Sequence, residues 1–129
     1  MIAIDTNVLV RYVVWDDAAQ AKRAARLIED NQVVVATTVL LESEWVLRSA
    51  YGFERTGISL AFRRFLGLPN VSPEAAAAVE AALDSNDAGL DFADALHLAS
   101  TPKASRFFTF DRGLVKKAKR SSIGVHVVP

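Results

Sequence analysis

Five carboxylates occupy positions where a carboxylate needs a reason to be. Asp5 closes the apolar run "IAID" and Asp111 closes "FFTFD". Each is expected at the carboxyl end of a strand, the edge at which open α/β sheets bind their ligands. In "TTVLLESEWVLRSA", Glu42 lies three residues after Val39, three before Trp45 and four before Val46, so it is expected on their apolar helical stripe, with Glu44 facing solvent. A carboxylate on such a stripe loses water and needs a cation or a metal beside it. In "DFADALHLAS", Asp91 and Asp94 share a helical face with Leu98, next to a core stripe of Phe92, Ala95, Leu96 and Ala99. Two like charges on one face repel unless a cation holds them.

Each acid also has a purely structural explanation. Asp5 and Asp111 could cap the helices that follow them. Asp91 falls in a first helical turn, where the macrodipole favours negative charge. Glu42 could pair with Arg11 or Arg48. Asp94, deeper in its helix, is the hardest to explain this way. Taken together, the acids suggest one acidic pocket, in a chain with no cysteine and only two histidines. Ligation by oxygen alone selects hard cations, Mg²⁺ or Mn²⁺, and such a site suits phosphate chemistry.

The elements that must position these residues alternate. Strands are expected over 1–5, 33–36, 70–72, 106–110 and 125–128. Helices are expected near 7–15, 17–30, 38–51, 56–67, 73–86, 90–100 and 112–119, with Pro73 at a helix start and Gly113 and Gly124 in turns. Alternation of this kind predicts a parallel sheet covered by helices, an α/β sandwich. The chain has 129 residues, which fits a single domain over 1–129. No apolar run approaches the roughly 18 residues that cross a bilayer, and the first strand is expected to start at Met1 with no leader before it. The expectation is a soluble, cytoplasmic protein with no membrane association. Fifteen basic and fifteen acidic residues balance, so nucleic-acid binding would need a local patch.

In order along the chain, "IAIDTNVLVRYV", "LLESEWVLRSAYG", "DFADALHLA" and "FFTFDRGL" resemble the PIN-domain ribonucleases, and among them the VapC-type toxins of toxin–antitoxin modules. The resemblance implies a three-layer sandwich with a central parallel five-stranded sheet flanked by helices. It implies Mg²⁺, with Mn²⁺ able to substitute, held by Asp5, Glu42, Asp94 and Asp111 for hydrolysis of RNA phosphodiester bonds. Asn7 and Thr109 match supporting polar positions, and Asp91 is a second-tier acid. A homodimer and a small VapB-like antitoxin are the implied partners. Tyr12, Trp15 and Trp45 offer apolar contact area for them, or belong to the core.

Beyond Asp111, "RGLVKKAKR" supplies Arg112, Lys116, Lys117, Lys119 and Arg120, either a phosphate-tracking patch or a solvated helix face. Arg63 and Arg64 make a weaker patch. No aromatic is interleaved in these basic runs, so base stacking is not expected from them. His97 and His126 are read as structural. Two other classes remain to be weighed. A receiver-like signalling module would need an acidic pair after the first strand and a lysine after the last, and neither is found. An aspartyl phosphatase would need a second acid where Asn7 stands. A PIN fold kept only for protein binding stays open.

Overall fold

The computed structural model describes residues 1–129. The chain divides into two compact units, Met1–Ala76 and Ala77–Pro129. In the first, β1 (Ile2–Ala3), β2 (Val33–Val35) and β3 (Val71–Pro73) form a parallel sheet in the order β1-β2-β3. Ile2 pairs with Val33, and Val33 with Val71. Between these strands run α1 (Thr6–Val14), α2 (Ala18–Glu29), α3 (Thr37–Ser49) and α4 (Arg55–Leu66).

Local chemistry sets the helix boundaries. Asp17 caps α2 by accepting a hydrogen bond from Gln20 N at 3.0 Å, and Ala21, Ala24 and Ile28 turn its buried face inward. Ala36 offers α3 no side-chain cap, so Glu74, just beyond β3, reaches across and accepts from Thr37 N at 3.0 Å. α1 ends at Trp15 with φ 58°, a left-handed conformation uncommon for a bulky side chain, and its N–H closes on Arg11 O. Phe62, Phe65, Leu9, Leu40, Leu47 and Val35 fill the centre of this unit.

The second unit holds α5 (Ala76–Asp87, which starts at the boundary), α6 (Phe92–Ala99), β4 (Arg106–Thr109), α7 (Arg112–Lys117) and β5 (Gly124–Val127). β4 and β5 pair in parallel, Arg106 with Gly124 through Thr109 with Val127. Gly89, with φ 110°, lets the chain reverse after α5, and Leu90 N then donates to Ser85 O. Phe92, Leu83, Val79 and Leu96 lead its core.

All five expected strands are present and parallel, but they pair as three and two instead of forming one five-stranded sheet. The ladders are too short to run on. β1 contributes only two paired residues before Asp5 caps α1 and ends the extended backbone. Pro73 likewise ends β3 instead of starting a helix. It sits on an edge strand, where its missing N–H costs no ladder bond, and Glu74 N donates to Val35 O in its place. Gly113 lies inside the first turn of α7, and that helix stops at Lys117, two residues short of the expected end. No helix is long and apolar enough to cross a membrane.

Candidate active site

Asp5 stands two residues past the end of β1 and is the N-cap of α1, its Oδ1 accepting from Thr6 N at 2.7 Å. Thr6 is buried, and its hydroxyl donates to Glu42 Oε1 on α3. One threonine therefore donates to both carboxylates, through its N–H to Asp5 and through its hydroxyl to Glu42. The two acids line one cavity of about 300 Å³ together with Asn7, Val10, Arg11 and Tyr51.

The expectation for α3 needs correction. Glu42 is exposed, and it is Glu44 that is buried, at 5% exposure, beside Leu40, Ser43 and Leu47. The core stripe is rotated by about one residue, because small Ser43 and the leucines at 40 and 47 pack better than Trp45, which is 59% exposed. Burial of Glu44 is made tolerable by Arg48, one turn on, whose Nε donates to Glu44 Oε2 at 2.8 Å. Arg11, the other cation expected for Glu42, instead binds Asp16 at 2.9 Å. The desolvation argument thus belongs to Glu44, and the case for Glu42 rests on Thr6 and the cavity.

Arg11 anchors a polar network at the edge of that cavity. Its Nη1 donates to Tyr51 Oη at 3.1 Å and to Asp16, its Nε donates to Gln20 Oε1, and Tyr51 Oη donates to Asp16 Oδ2 at 2.9 Å. The hydrogen bond to Tyr51, followed by that to Asp16, raises the Arg11 pKa, and the bond from Tyr51 lowers that of Asp16. Nothing in the spacing of residues 11, 16, 20 and 51 announced this arrangement. Thr6 was equally invisible, since a threonine after an aspartate reads as ordinary helix-start chemistry.

In the second unit Asp111 follows β4 and caps α7, its Oδ1 accepting from Leu114 N at 3.0 Å. Thr109 Oγ1 accepts from Asp111 N at 3.0 Å and fixes the turn that presents the carboxylate. Asp91 caps α6 through a long bond from Asp94 N, 3.4 Å. Asp94 is half-buried in the first turn of α6. Desolvation pushes its pKa up, the charges of Asp91 and Asp111 push it further, and His97 and Lys117 oppose them. Asp91, Asp94 and Asp111 are therefore electrostatic neighbours.

Lys116, Lys117, Lys119 and Arg120 border a cavity of about 830 Å³ whose walls include Leu90 and Ala95, and Arg112 is exposed at the start of α7. Among the aromatics, Tyr12 packs on Phe65 with ring centroids 5.4 Å apart, whereas Trp15 is 47% exposed. Phe108 lies in β4 as expected and is 47% exposed, whereas Phe110, expected to end the strand, falls just beyond it and is 83% exposed. His97 is exposed, and His126 lies 5.4 Å from the Phe108 ring.

Within neither unit do three acidic or histidine side chains gather closely enough to share one ion. The donor chemistry nevertheless fits a hard divalent cation. Asp5 and Glu42 meet at Thr6 and offer carboxylate oxygens, the hard donors such a cation takes, and the desolvation and like-charge repulsion that raise the Asp94 pKa are the kind a cation offsets.

An α/β chain with aspartates at the carboxyl ends of parallel strands defines the class, and sequence comparison defines the family. The PIN domain family matches residues 2–120, across both units, and the chain belongs to that family, whose fold is of nuclease type. No curated protein and no solved structure gives a significant match.

Proposed function

We propose that this protein is a metal-dependent endoribonuclease of the VapC type, the toxin of a toxin–antitoxin pair. The observation that carries the catalytic reading is Thr6, which holds Asp5 and Glu42 together at the rim of one cavity. Asp5 and Glu42 in the first unit, and Asp94 and Asp111 with Asp91 in the second, are the residues that would hold Mg²⁺ or Mn²⁺. A bound ion of this kind makes water a nucleophile near neutral pH and offsets charge growing on the phosphate.

The chain's own residues do the rest. Thr6 and Thr109 fix the directions of Glu42 and Asp111. Asn7 faces the cavity and can hydrogen-bond a phosphate or a water. Lys116, Lys117, Lys119, Arg120 and Arg112 supply cations for the RNA backbone. Exposed Trp15 and Trp45 give apolar area to an antitoxin or a second copy of the chain, which agrees with the VapC-type reading.

The test is cleavage of total cellular RNA by the purified protein with Mg²⁺, with Mn²⁺ and with EDTA, alongside Asp5→Asn. Discrete products that require metal and disappear in the variant are expected. Well-folded protein that leaves RNA intact with either ion would overturn the reading and favour a PIN fold that only binds.

A further inference from the structure

The carboxylate cavity does not end at Asn7 and Arg11. Those two residues also wall a second and larger cavity, of about 830 Å³, between α1 and α2. That volume lies within the range of small-ligand clefts. Its floor is apolar, formed by Val8, Ala24 and Leu27, and Leu27 is 42% exposed. Arg23 and Arg26 also line it, three residues apart on the same face of α2.

Charge is sorted on this helix. Residues 16 to 30 hold Lys22, Arg23 and Arg26 against Asp16, Asp17, Glu29 and Asp30, an acidic balance overall. Yet the groove is bordered by three arginines and a single acid, Asp30. Arg11 is already committed to Asp16 and Tyr51, which makes it a fixed post between the two cavities. The side chains of Arg23 and Arg26 are exposed and make neither a hydrogen bond nor an ion pair within the protein. Arg26 in the last turn of α2 also suits the helix dipole, but that explanation does not reach Arg23 or the open apolar floor.

We propose that this groove receives the single-stranded RNA where it leaves the carboxylate cavity. Arg23 and Arg26 hold successive phosphates, and the Val8, Ala24 and Leu27 floor carries a base or ribose face. Arginine suits the role because its planar fork binds phosphate oxygens in pairs. The proposal rests on the ribonuclease reading for its direction along the strand, but not for its chemistry.

The experiment measures binding, with cleavage blocked by EDTA. A pool of single-stranded 12-nucleotide RNAs is titrated against wild type, the Arg23→Gln/Arg26→Gln double variant and Lys22→Gln, across 50 to 200 mM salt. Each phosphate neutralised on a single strand contributes about 0.7 to the slope of log affinity against log salt. The double variant should therefore lose about 1.4 from that slope. Over this fourfold salt range it should shed about sevenfold less affinity than wild type. Lys22→Gln, on the same helix but outside the groove, should match wild type. Equal slopes and affinities in all three proteins would overturn the proposal. So would loss of oligoglutamate binding in the double variant with RNA binding intact, which would assign the groove to an acidic protein segment. If wild type cuts no RNA while the slope still depends on Arg23 and Arg26, the nuclease reading falls and the groove stands.

Discussion

Asp111 has two jobs that a pair of substitutions can separate. As N-cap it accepts from Leu114 N through Oδ1, and as a proposed metal-holding group it must present negative charge beside Asp94. Asp111→Asn keeps a cap of equal quality, because asparagine and aspartate rank together at this position. Loss of the charge forfeits about 0.3–1 kcal/mol of dipole interaction. The Asp94 pKa is raised by desolvation first, then by Asp91 and by Asp111, and relief of the Asp111 share acts in the opposite direction. The two should nearly cancel, leaving the metal-free melting temperature within about 2 °C of wild type. Asp111→Ala removes the cap as well, which costs about 1 kcal/mol and about 3–5 °C in a chain of this size. Calorimetry in EDTA reads the first effect, and initial rates of RNA cleavage in Mg²⁺ read the second. Both variants should lose at least about a hundredfold in rate, since even groups that merely orient metal ligands cost 10–100-fold. If Asp111→Asn cleaves as wild type does while Asp111→Ala is only less stable, Asp111 is a cap and nothing more.

The pH response of Asp94 has a definite sign. Its carboxyl binds a proton more tightly in the folded chain than in the unfolded one, so stability falls as pH rises from its ordinary value of 3.8 through the raised folded value. Melting curves of the metal-free protein should show this falling contribution in wild type and not in Asp94→Asn, and saturating Mn²⁺ should restore stability at neutral pH. On α3 the neighbouring glutamates should behave oppositely. Glu44→Ala should lower stability by about 1–2 kcal/mol with cleavage retained, whereas Glu42→Gln should abolish cleavage with little change in denaturant midpoint. Thr6→Val keeps the shape and the N–H to Asp5 but deletes the donor to Glu42. It should weaken Mn²⁺ binding about 10–100-fold by titration calorimetry, and unchanged Mn²⁺ affinity would show that the threonine only packs.

Much of the fold was legible because its signals are local. Alternation of β-branched runs with longer helical periods located all twelve elements, and Asp5 and Asp111 are the helix caps their positions allowed, while Asp91, expected within a first helical turn, stands one residue earlier as the cap. What escaped depended on contacts across the sequence. The face of α3 could not be fixed from Glu42, Trp45 and Val46 alone, because the deciding pair, Glu44 with Arg48, makes a buried charge acceptable. Thr6 to Glu42 spans 36 residues, and Tyr51 to Asp16 spans 35. Pairing of the strands as three and two was hidden for the same reason, since a strand's composition does not state how many residues its ladder will reach.

Capping and metal binding, set against each other in the sequence, are complementary in the structure. A carboxylate has two oxygens, and a cap occupies one of them. Asp5 and Asp111 each commit Oδ1 to the helix that follows, which orients the side chain at a strand's carboxyl end and leaves Oδ2 for another partner. The acids that are not caps need other means of orientation. Glu42 has the Thr6 hydroxyl, and Asp94 has its place in the first turn of α6. At Asp94, desolvation and two neighbouring charges raise the pKa against the help of His97 and Lys117. Other carboxylates here have a paired cation within reach, as Asp16 has Arg11 and Glu44 has Arg48. Asp94 lacks a paired cation at salt-bridge distance, and a divalent ion would lower its pKa and remove the repulsion in one step.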